Sequence, residues 1–411
     1  MNFNVEIFKN RNLIIILTSQ LVFQLALWIG LIGNLQFLQN NVHSHLLQSL
    51  LLVAGSVFSL LIGPYAGNLI DGISKKKILL IVGVLRMCSV IFMFVAIFTN
   101  SVWLMLLYSI GVSSSAAFFE PALQATISEV TDEKHLVFAN SLNLNIVTLA
   151  RIFGATLGGI ILSITSLFSL YLIAFISFLF VLIITFFLKI EENHLIVKRK
   201  RKKVIFREVF PVISGKFDVK MILFLSLTPI VFIAGFNLFI VEISTIQNNP
   251  SVKGLLYAIE GISLILSSTL VNKLTRNRNQ IKFLLLASFL IGTVYFILSF
   301  SNFRLAPFIA FCLFGLAYGL FSPLANTFNQ KVVPNEFHGR FFAFKAMLER
   351  TVIQISMVSI GFLLDVLGFN KVVIVLGFIS TVLVFILTAF YFRNLKMKNN
   401  KKNSSTTNSQ I

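Results

Sequence analysis

Residues 168–189 read FSLYLIAFISFLFVLIITFFLK, and no charge appears until Lys189 closes the run. At 1.5 Å per residue such a helix covers about 30 Å, the hydrocarbon thickness of a bilayer. A helix on a soluble protein would alternate this apolar face with a polar one. Here only Tyr171 and three hydroxyl residues interrupt the run, so lipid is the expected solvent.

Working outward, comparable runs recur along the whole chain. We place the first set at 13–34, 46–67, 77–98, 101–126, 137–162 and 168–189. A second set follows at 221–243, 252–272, 281–301, 305–328, 340–364 and 370–392. The expected fold is an all-α membrane protein with twelve transmembrane helices in two six-helix bundles related by pseudo-two-fold symmetry. Residues 1–189 form the N-terminal bundle, 190–220 a cytoplasmic linker, 221–392 the C-terminal bundle and 393–411 a disordered cytoplasmic tail. The first run is too long for a signal-peptide core and has no cleavage site behind it, so it should remain as the first span.

The 411 residues are 57% hydrophobic and only 12% charged, about half the charged share of an average soluble chain. Their net charge of +19 raises the idea of nucleic-acid binding, but the 34 Lys and Arg are placed by topology. Only Lys253, Arg304 and Lys371 fall on the side assigned outside, Arg86 and Arg151 lie inside spans, and the rest border cytoplasmic segments. That asymmetry is the positive-inside rule and puts both termini in the cytoplasm. The run Lys198 to Lys203 is read as an anchor to anionic lipid, with a partner patch as the alternative. Cys88 and Cys312 offer no disulfide framework and no metal set, and nothing implies a cofactor.

An internal repeat appears at an offset of about 202 residues. FFEPALQATISEVTDEKH begins at Phe118, and LFSPLANTFNQKVVPNEFH begins at Leu320. Phe119 and Pro121 match Phe321 and Pro323, which makes the two halves parallel repeats.

Between spans two and three lies GNLIDGISKKK, residues 67–77. Gly67 permits close helix packing, Asp71 can pair or cap, and Lys75 and Lys76 hold the loop at the surface. This loop resembles the signature loop of the major facilitator superfamily, with Gly72 and Ser74 where that family has Arg and Gly. A second likeness runs through Phe118 to Ala122, Gln124 and Ala125, Ala139 to Leu142, Gly154, and Gly158 with Gly159. It continues in Val333 to Glu336 with Gly339 and Arg340, and is similar to the branch holding macrolide-efflux and siderophore-exporter proteins. The resemblance covers essentially the whole chain. It implies a secondary transporter that exports small amphipathic, macrolide-like compounds by proton antiport with alternating access. Multidrug resistance through efflux at the cell membrane follows from it, as does a monomeric protein. Gly67, Asp71, Lys75 and Lys76 would form a cytoplasmic latch. Gly154, Gly158 and Gly159 would let the fifth span gate by close backbone approach, as in the family's antiporter motif, with ordinary small-residue packing as the alternative.

Ionisable groups inside spans cost about 2.5–3.5 kcal/mol each on insertion scales and need a partner or a task. Arg86 and Glu120 sit at matching depth and suit either a structural salt bridge or a proton-linked role. Arg151 and Glu260 lie deeper: Glu260 suits a proton or a cationic substrate, or an internal hydrogen-bonded brace, and Arg151 suits holding a nearby carboxylate ionised or receiving an anionic group, or a helix-to-helix clamp; Glu349 and Arg350 in span eleven, adjacent and of opposite charge, complete the set. For substrate contact we single out Gln20, Gln24 and Trp28 at four-residue spacing, with Phe236, Asn237, Tyr318 and Asn326. Such an apolar, aromatic wall with few polar groups suits an amphipathic ligand; interhelical glue is the alternative.

Other classes fare worse. The stretch Gly67 to Gly72 lacks the lysine and hydroxyl of a phosphate-cradling loop, so an ATP-driven pump is not expected. A membrane-embedded lipid enzyme would need clustered chemistry, and His43, His45, His135, His194 and His338 are scattered in the sequence. A transported metabolite such as a siderophore, exported or imported, is the main alternative cargo. Protons, lipid and a small-molecule substrate are the expected partners.

Overall fold

The computed structural model describes residues 10–189, 216–275, 279–334 and 337–407, without the side chains of 64–72, 133, 134, 137, 272, 338, 339, 343 and 395–407. The linker's basic run and Glu336 lie outside these residues. Among the described residues thirteen helices follow one another: α1 Arg11–Asn41, α2 His45–Gly72, α3 Lys75–Thr99, α4 Val102–Val130, α5 Glu133–Ile164, α6 Leu167–Phe186, α7 Phe217–Leu225, α8 Leu227–Ile246, α9 Val252–Thr275, α10 Gln280–Leu298, α11 Ala306–Val332, α12 His338–Leu367 and α13 Phe369–Thr407. No strand occurs among the described residues. Twelve stretches of the described residues are long and apolar enough to cross a membrane, α7 and α8 counting as one. The all-α, twelve-span fold class expected from the sequence is therefore observed.

Local chemistry sets the helix ends. Asn10 caps α1 by accepting from the Leu13 amide at 3.1 Å, and Ser74 and Ser166 cap α3 and α6 in the same way. Asn100 ends α3 in the left-handed region at φ 52°, a conformation Asn tolerates. Gly368 takes φ 74° between α12 and α13, which lets the two helices be joined by a single residue.

One expected span is broken. Residues 221–243 were read as a continuous helix, yet the chain turns at Ser226 between α7 and α8. Pro229 has no amide proton to give the carbonyl four residues back. That carbonyl, on Leu225, accepts instead from the Thr228 hydroxyl at 2.9 Å. The last helix departs in the other direction: α13 runs through Arg393 to Thr407, where composition suggests disorder. The segment holds no Gly or Pro, so nothing in it interrupts the helical hydrogen-bond ladder.

The chain divides into two compact units. The first comprises Met1–Lys202, Asn237–Gly261 and Met357–Asp365; the second comprises Lys203–Phe236, Ile262–Ser356 and Val366–Ile411. In the first, α1 packs on α5 and α6, α4 on α2 and α3, and α3 on α6. Phe23, Phe119 and Phe178 meet at its core, with Phe23 and Phe119 ring centroids 4.6 Å apart. In the second, α10 packs on α11 and α13. Its core gathers Leu284, Phe321, Leu324 and Ala325. The repeat-related positions Phe119 and Phe321 are thus both buried, as are the residues after the two repeat prolines: Ala122 and Leu123 in one half, Leu324 and Ala325 in the other. Large apolar side chains such as Phe98, Trp103, Phe378 and Phe385 remain exposed, the outer surface that hydrocarbon solvates.

Candidate functional site

Three polar layers cross the first unit. We call the end where α1 begins the near end, and the end where α1 stops at Asn41 and α2 begins at His45 the far end.

The layer toward the near end surrounds Arg86. Its guanidinium is fully enclosed, 3.5 Å from the Phe23 ring centroid and 4.1 Å from that of Phe119. Nε donates to the Ser115 hydroxyl at 2.8 Å. Glu120 is near enough to act on Arg86 through space, but its own short contact is from Gln24 Nε2 at 3.1 Å. Gln20 is completely buried, with its amide beside the Glu120 carboxylate. The sequence-selected residues Gln20, Gln24, Arg86 and Glu120 therefore share one cluster, in which two aromatic faces carry the cation. A planar guanidinium stacks on rings in a way an ammonium does not. Arg86→Lys is expected to cost about 1–2 kcal/mol, read as a lower thermal midpoint in detergent. An unchanged midpoint would mean that charge alone matters here.

The middle layer brings together residues far apart in sequence. Arg151 Nη1 donates to Glu260 Oε2 at 2.8 Å, and only 4% of the Glu260 side chain is exposed. One turn earlier on α9, Tyr257 donates its hydroxyl to Asn237 Oδ1 and meets the Trp28 ring edge-on, centroids 5.7 Å apart. Trp28, Arg151, Asn237 and Glu260 thus stand together, and Tyr257 is a member that sequence reading missed. A buried tyrosine at helical spacing from a carboxylate was the available signal.

Glycines set how closely the helices of this layer approach. A Cβ on Gly154 would meet Trp28 Cβ at 2.8 Å and the Leu25 carbonyl at 3.0 Å; one on Gly158 would meet Ile32 at 3.1 Å. Gly159 touches α9 instead, where its Cβ would come 2.8 Å from Gly254 Cα. The α5 glycine stripe therefore lies against α1 at two positions and against α9 at the third. Gly254 is its unforeseen counterpart.

The far layer holds a cluster the sequence did not suggest. His45 opens α2 with one ring nitrogen against Glu242 of α8 and the other 2.8 Å from Asp365 of α12. The Asp365 carboxylate also accepts from the amides of His45 and Leu46 at 2.7 and 3.0 Å and from the Ser44 hydroxyl at 2.7 Å. It caps the helix N-terminus, where unpaired amides and the helix dipole favour an anion. Nearby in α9, Lys253 is fully buried and donates to Gln36 at 2.7 Å and Ser244 at 2.9 Å. The sequence reading put Lys253 on the side assigned outside; it lies in this far layer, enclosed by packed helices. His45 was set aside as one of five scattered histidines, yet folding brings it to carboxylates 197 and 320 residues away.

Near the α2–α3 turn, Lys75 pairs with Glu129 at 2.5 Å, and Lys76 donates to the Phe186 carbonyl at the end of α6 at 2.7 Å. Gly67 and Asp71, the other expected latch residues, have side chains outside the described set.

In the second unit, Phe236, Phe232, Phe314 and Tyr318 form a continuous aromatic ladder. Phe232 and Phe314 stack at 4.0 Å, and Phe314 and Tyr318 at 5.6 Å. Asn326 accepts from Lys345 at 3.3 Å, and Lys345 pairs with Glu349 at 2.7 Å. Arg350, adjacent to Glu349 in sequence, points to the exposed side. Lys345 is thus the partner of Glu349, as i,i+4 spacing permits and adjacency does not.

The family model described as Major Facilitator Superfamily matches residues 16–355. Among curated proteins, the uncharacterized MFS-type transporter YfiS of Bacillus subtilis (strain 168) is 23% identical over 389 residues, covering 90% of this chain and 91% of that protein. Among solved structures, the nucleoside transporter NupG is similar with a TM-score of 0.71 at 14% identity, covering 93% of this chain and 99% of that one. A bacterial homologue of the human lysosomal transporter Spinster, in an inward-facing and unoccupied conformation, also reaches 0.71 at 14% identity, covering 93% and 97%. A POT family transporter in complex with a thioalcohol-conjugated peptide gives 0.64 at 12% identity, covering 93% and 96%. At these identities the structures show a common fold.

Proposed function

The chain belongs to the Major Facilitator Superfamily, and from that premise we propose that it exports small amphipathic compounds across the cell membrane in exchange for protons. The transporter class and the multi-pass membrane placement follow from the family and the twelve spans. Direction, coupling ion and cargo are the proposal.

The observation that carries it is the Arg151–Glu260 pair beside the Trp28–Tyr257–Asn237 group. A carboxylate enclosed among apolar helices must be paired or protonated. Glu260 can therefore exchange Arg151 for a proton, and this choice is the coupling step. Trp28 and Tyr257 offer flat apolar area with a polar edge, and Asn237 a single orienting amide, a lining suited to a lipophilic ligand with few polar groups. The aromatic ladder through Phe236 to Tyr318, with Asn326 beyond it, supplies more of the same chemistry. Gln20, Gln24, Arg86 and Glu120 form a second charged group that can pass or hold a proton. Glu349, with Arg350 beside it in sequence, gives a third place for charge. Gly154, Gly158 and Gly159 allow α5 to move against its neighbours with little side-chain interference. Lys75 and Lys76, with Gly67 and Asp71, would latch the cytoplasmic face, which under the positive-inside rule is the near end and carries both termini. The narrower likeness to macrolide-efflux and siderophore-exporter proteins rests on the sequence motifs.

One proton moving down ~100 mV releases about 2.3 kcal/mol, enough for a cargo gradient of roughly fortyfold. In cells producing the protein, a protonophore is expected to raise accumulation of a lipophilic macrolide to the level of non-producing cells. Equal accumulation with and without the gradient sinks the export reading. The opposed charges of Arg151 and Glu260 favour one second reading, a zwitterionic natural metabolite whose carboxylate and ammonium would divide the pair. Proteoliposomes that take up such a compound and ignore macrolides would decide for it.

A further inference from the structure

We propose that His45, Glu242 and Asp365 form a proton-binding latch at the far end of the first unit, in which a proton on His45 ties α8 to α2. The argument begins with donor counting. Each ring nitrogen of His45 faces a carboxylate oxygen, Glu242 on one side and Asp365 on the other. A neutral imidazole has one N–H and one lone pair, so it can satisfy one carboxylate and must turn a lone pair toward the other. An imidazolium donates to both, with the stronger, charge-assisted kind of bond. The two-sided arrangement is the protonated one.

The two carboxylates do not depend on the ring equally. Asp365 also receives two backbone amides and the Ser44 hydroxyl, so it stays bound to the start of α2 when the ring loses its proton. Glu242 has the ring as its hydrogen-bond partner among the described residues. Deprotonation leaves the ring a single N–H and no charge, so the bond to Glu242, the leg joining α8 to α2, loses its charge assistance, and two carboxylates are left about a neutral ring. Among the described residues no other charged group is paired with these carboxylates. The nearby cation of α9, Lys253, is taken up by Gln36 and Ser244, and His43, just ahead of α2, is exposed. With the His45 side chain 20% exposed, the proton can come from and return to water at the far end.

Close packing makes the latch matter. A Cβ on Gly361 of α12 would come 2.6 Å from the His45 carbonyl and from Ser49 Oγ, so α12 is seated directly on the start of α2. Gln39 of α1 donates to Thr245 of α8 at 2.7 Å, a neutral contact that a change of pH leaves in place. Glu242 is the pH-sensitive tie on α8. The latch rests on the transport reading only in that the far end must open and close; no cargo is assumed.

The test uses the full-length protein in lipid nanodiscs, with Cys88 and Cys312 replaced by serine and spin labels at Leu47→Cys on α2 and Pro250→Cys beyond α8, both exposed positions. Raising the pH from about 6 to about 9, across the imidazole range, is expected to increase the wider-distance population about tenfold. His45→Gln, which carries donor and acceptor at every pH, is expected to abolish the response, and so is Glu242→Gln. A wild-type distribution that stays constant with pH overturns the latch, as does a His45→Gln protein that responds like wild type. Should His45→Gln fail to fold, a pH response that survives in Glu242→Gln has the same force. A constant distribution alongside intact proton-driven export removes the latch and leaves the transport reading standing. A normal pH response with no proton-driven export supports the latch and removes that reading.

Discussion

Replacing Arg151 with alanine is expected to give one of the two largest losses in this protein, about 3–5 kcal/mol of stability, with transport abolished. Glu260 is enclosed, and Arg151 is its hydrogen-bond partner among the described residues. Removing the guanidinium leaves a carboxylate that must either stay ionised without a partner or take up a proton. The loss should therefore be greatest at neutral to alkaline pH and shrink in acid, where a neutral carboxyl is available. A double variant, Arg151→Met with Glu260→Leu, separates pairing from chemistry. Exchanging a buried ion pair for apolar groups of similar volume is often neutral or stabilising, so this variant should unfold within about 1 kcal/mol of wild type and still not transport. Thermal unfolding in detergent and uptake into proteoliposomes are the two measurements. If the single variant is as stable as wild type, or the double variant transports, Glu260 is not the coupling carboxylate.

Gly254→Ala is the second. The added Cβ would stand 2.5 Å from the Ala155 carbonyl oxygen and 3.0 Å from both Gly159 Cα and the Thr156 carbonyl. All three are backbone atoms of α5, so no side chain can rotate away and the helices must separate. Overpacking of this kind typically costs about 1–3 kcal/mol. Gly159→Ala, entering the same contact from the other side at 2.8 Å, should cost a similar amount. Gly63→Ala is the control, since nothing lies within 4 Å of the added atom and the helical backbone gains about 0.5–1 kcal/mol from losing a glycine. Melting curves of the three proteins give the ordering. Equal midpoints for Gly254→Ala and Gly63→Ala would show that α5 and α9 do not need the close approach.

The twelve spans were legible because a bilayer imposes one requirement on every crossing segment, about twenty apolar residues with all backbone groups bonded internally. That requirement is written into consecutive residues and needs no knowledge of neighbours. The pairing of the repeats was legible for a similar reason: Phe119–Pro121 and Phe321–Pro323 carry the same local pattern, and both phenylalanines are buried. The turn at Ser226 was legible in principle, through Pro229 and Thr228, and was overlooked because hydropathy continues unbroken across it.

Partners were another matter. Arg151, Glu260 and Trp28 were selected singly as polar or aromatic residues where hydrocarbon was expected, but nothing in the sequence joined Arg151 to Glu260 or Trp28 to Tyr257. Glu349 was read with its neighbour Arg350, whereas the helix turns it toward Lys345. Lys253 was given a side of the membrane from its charge, but its burial among the helices is a matter of packing. His45 was dismissed for lack of company. Class, span number and the list of costly residues are local properties, set by how each short segment partitions between water and lipid. Which costly residues meet is set by helix packing: Gly159 on Gly254, Gly361 on the start of α2, α1 on α5. Those approaches are decided at ångström scale by residues far apart in the sequence. The transporter class was readable from the chain, while the His45–Glu242–Asp365 cluster and the Arg151–Glu260 pair came into view only when the helices were packed.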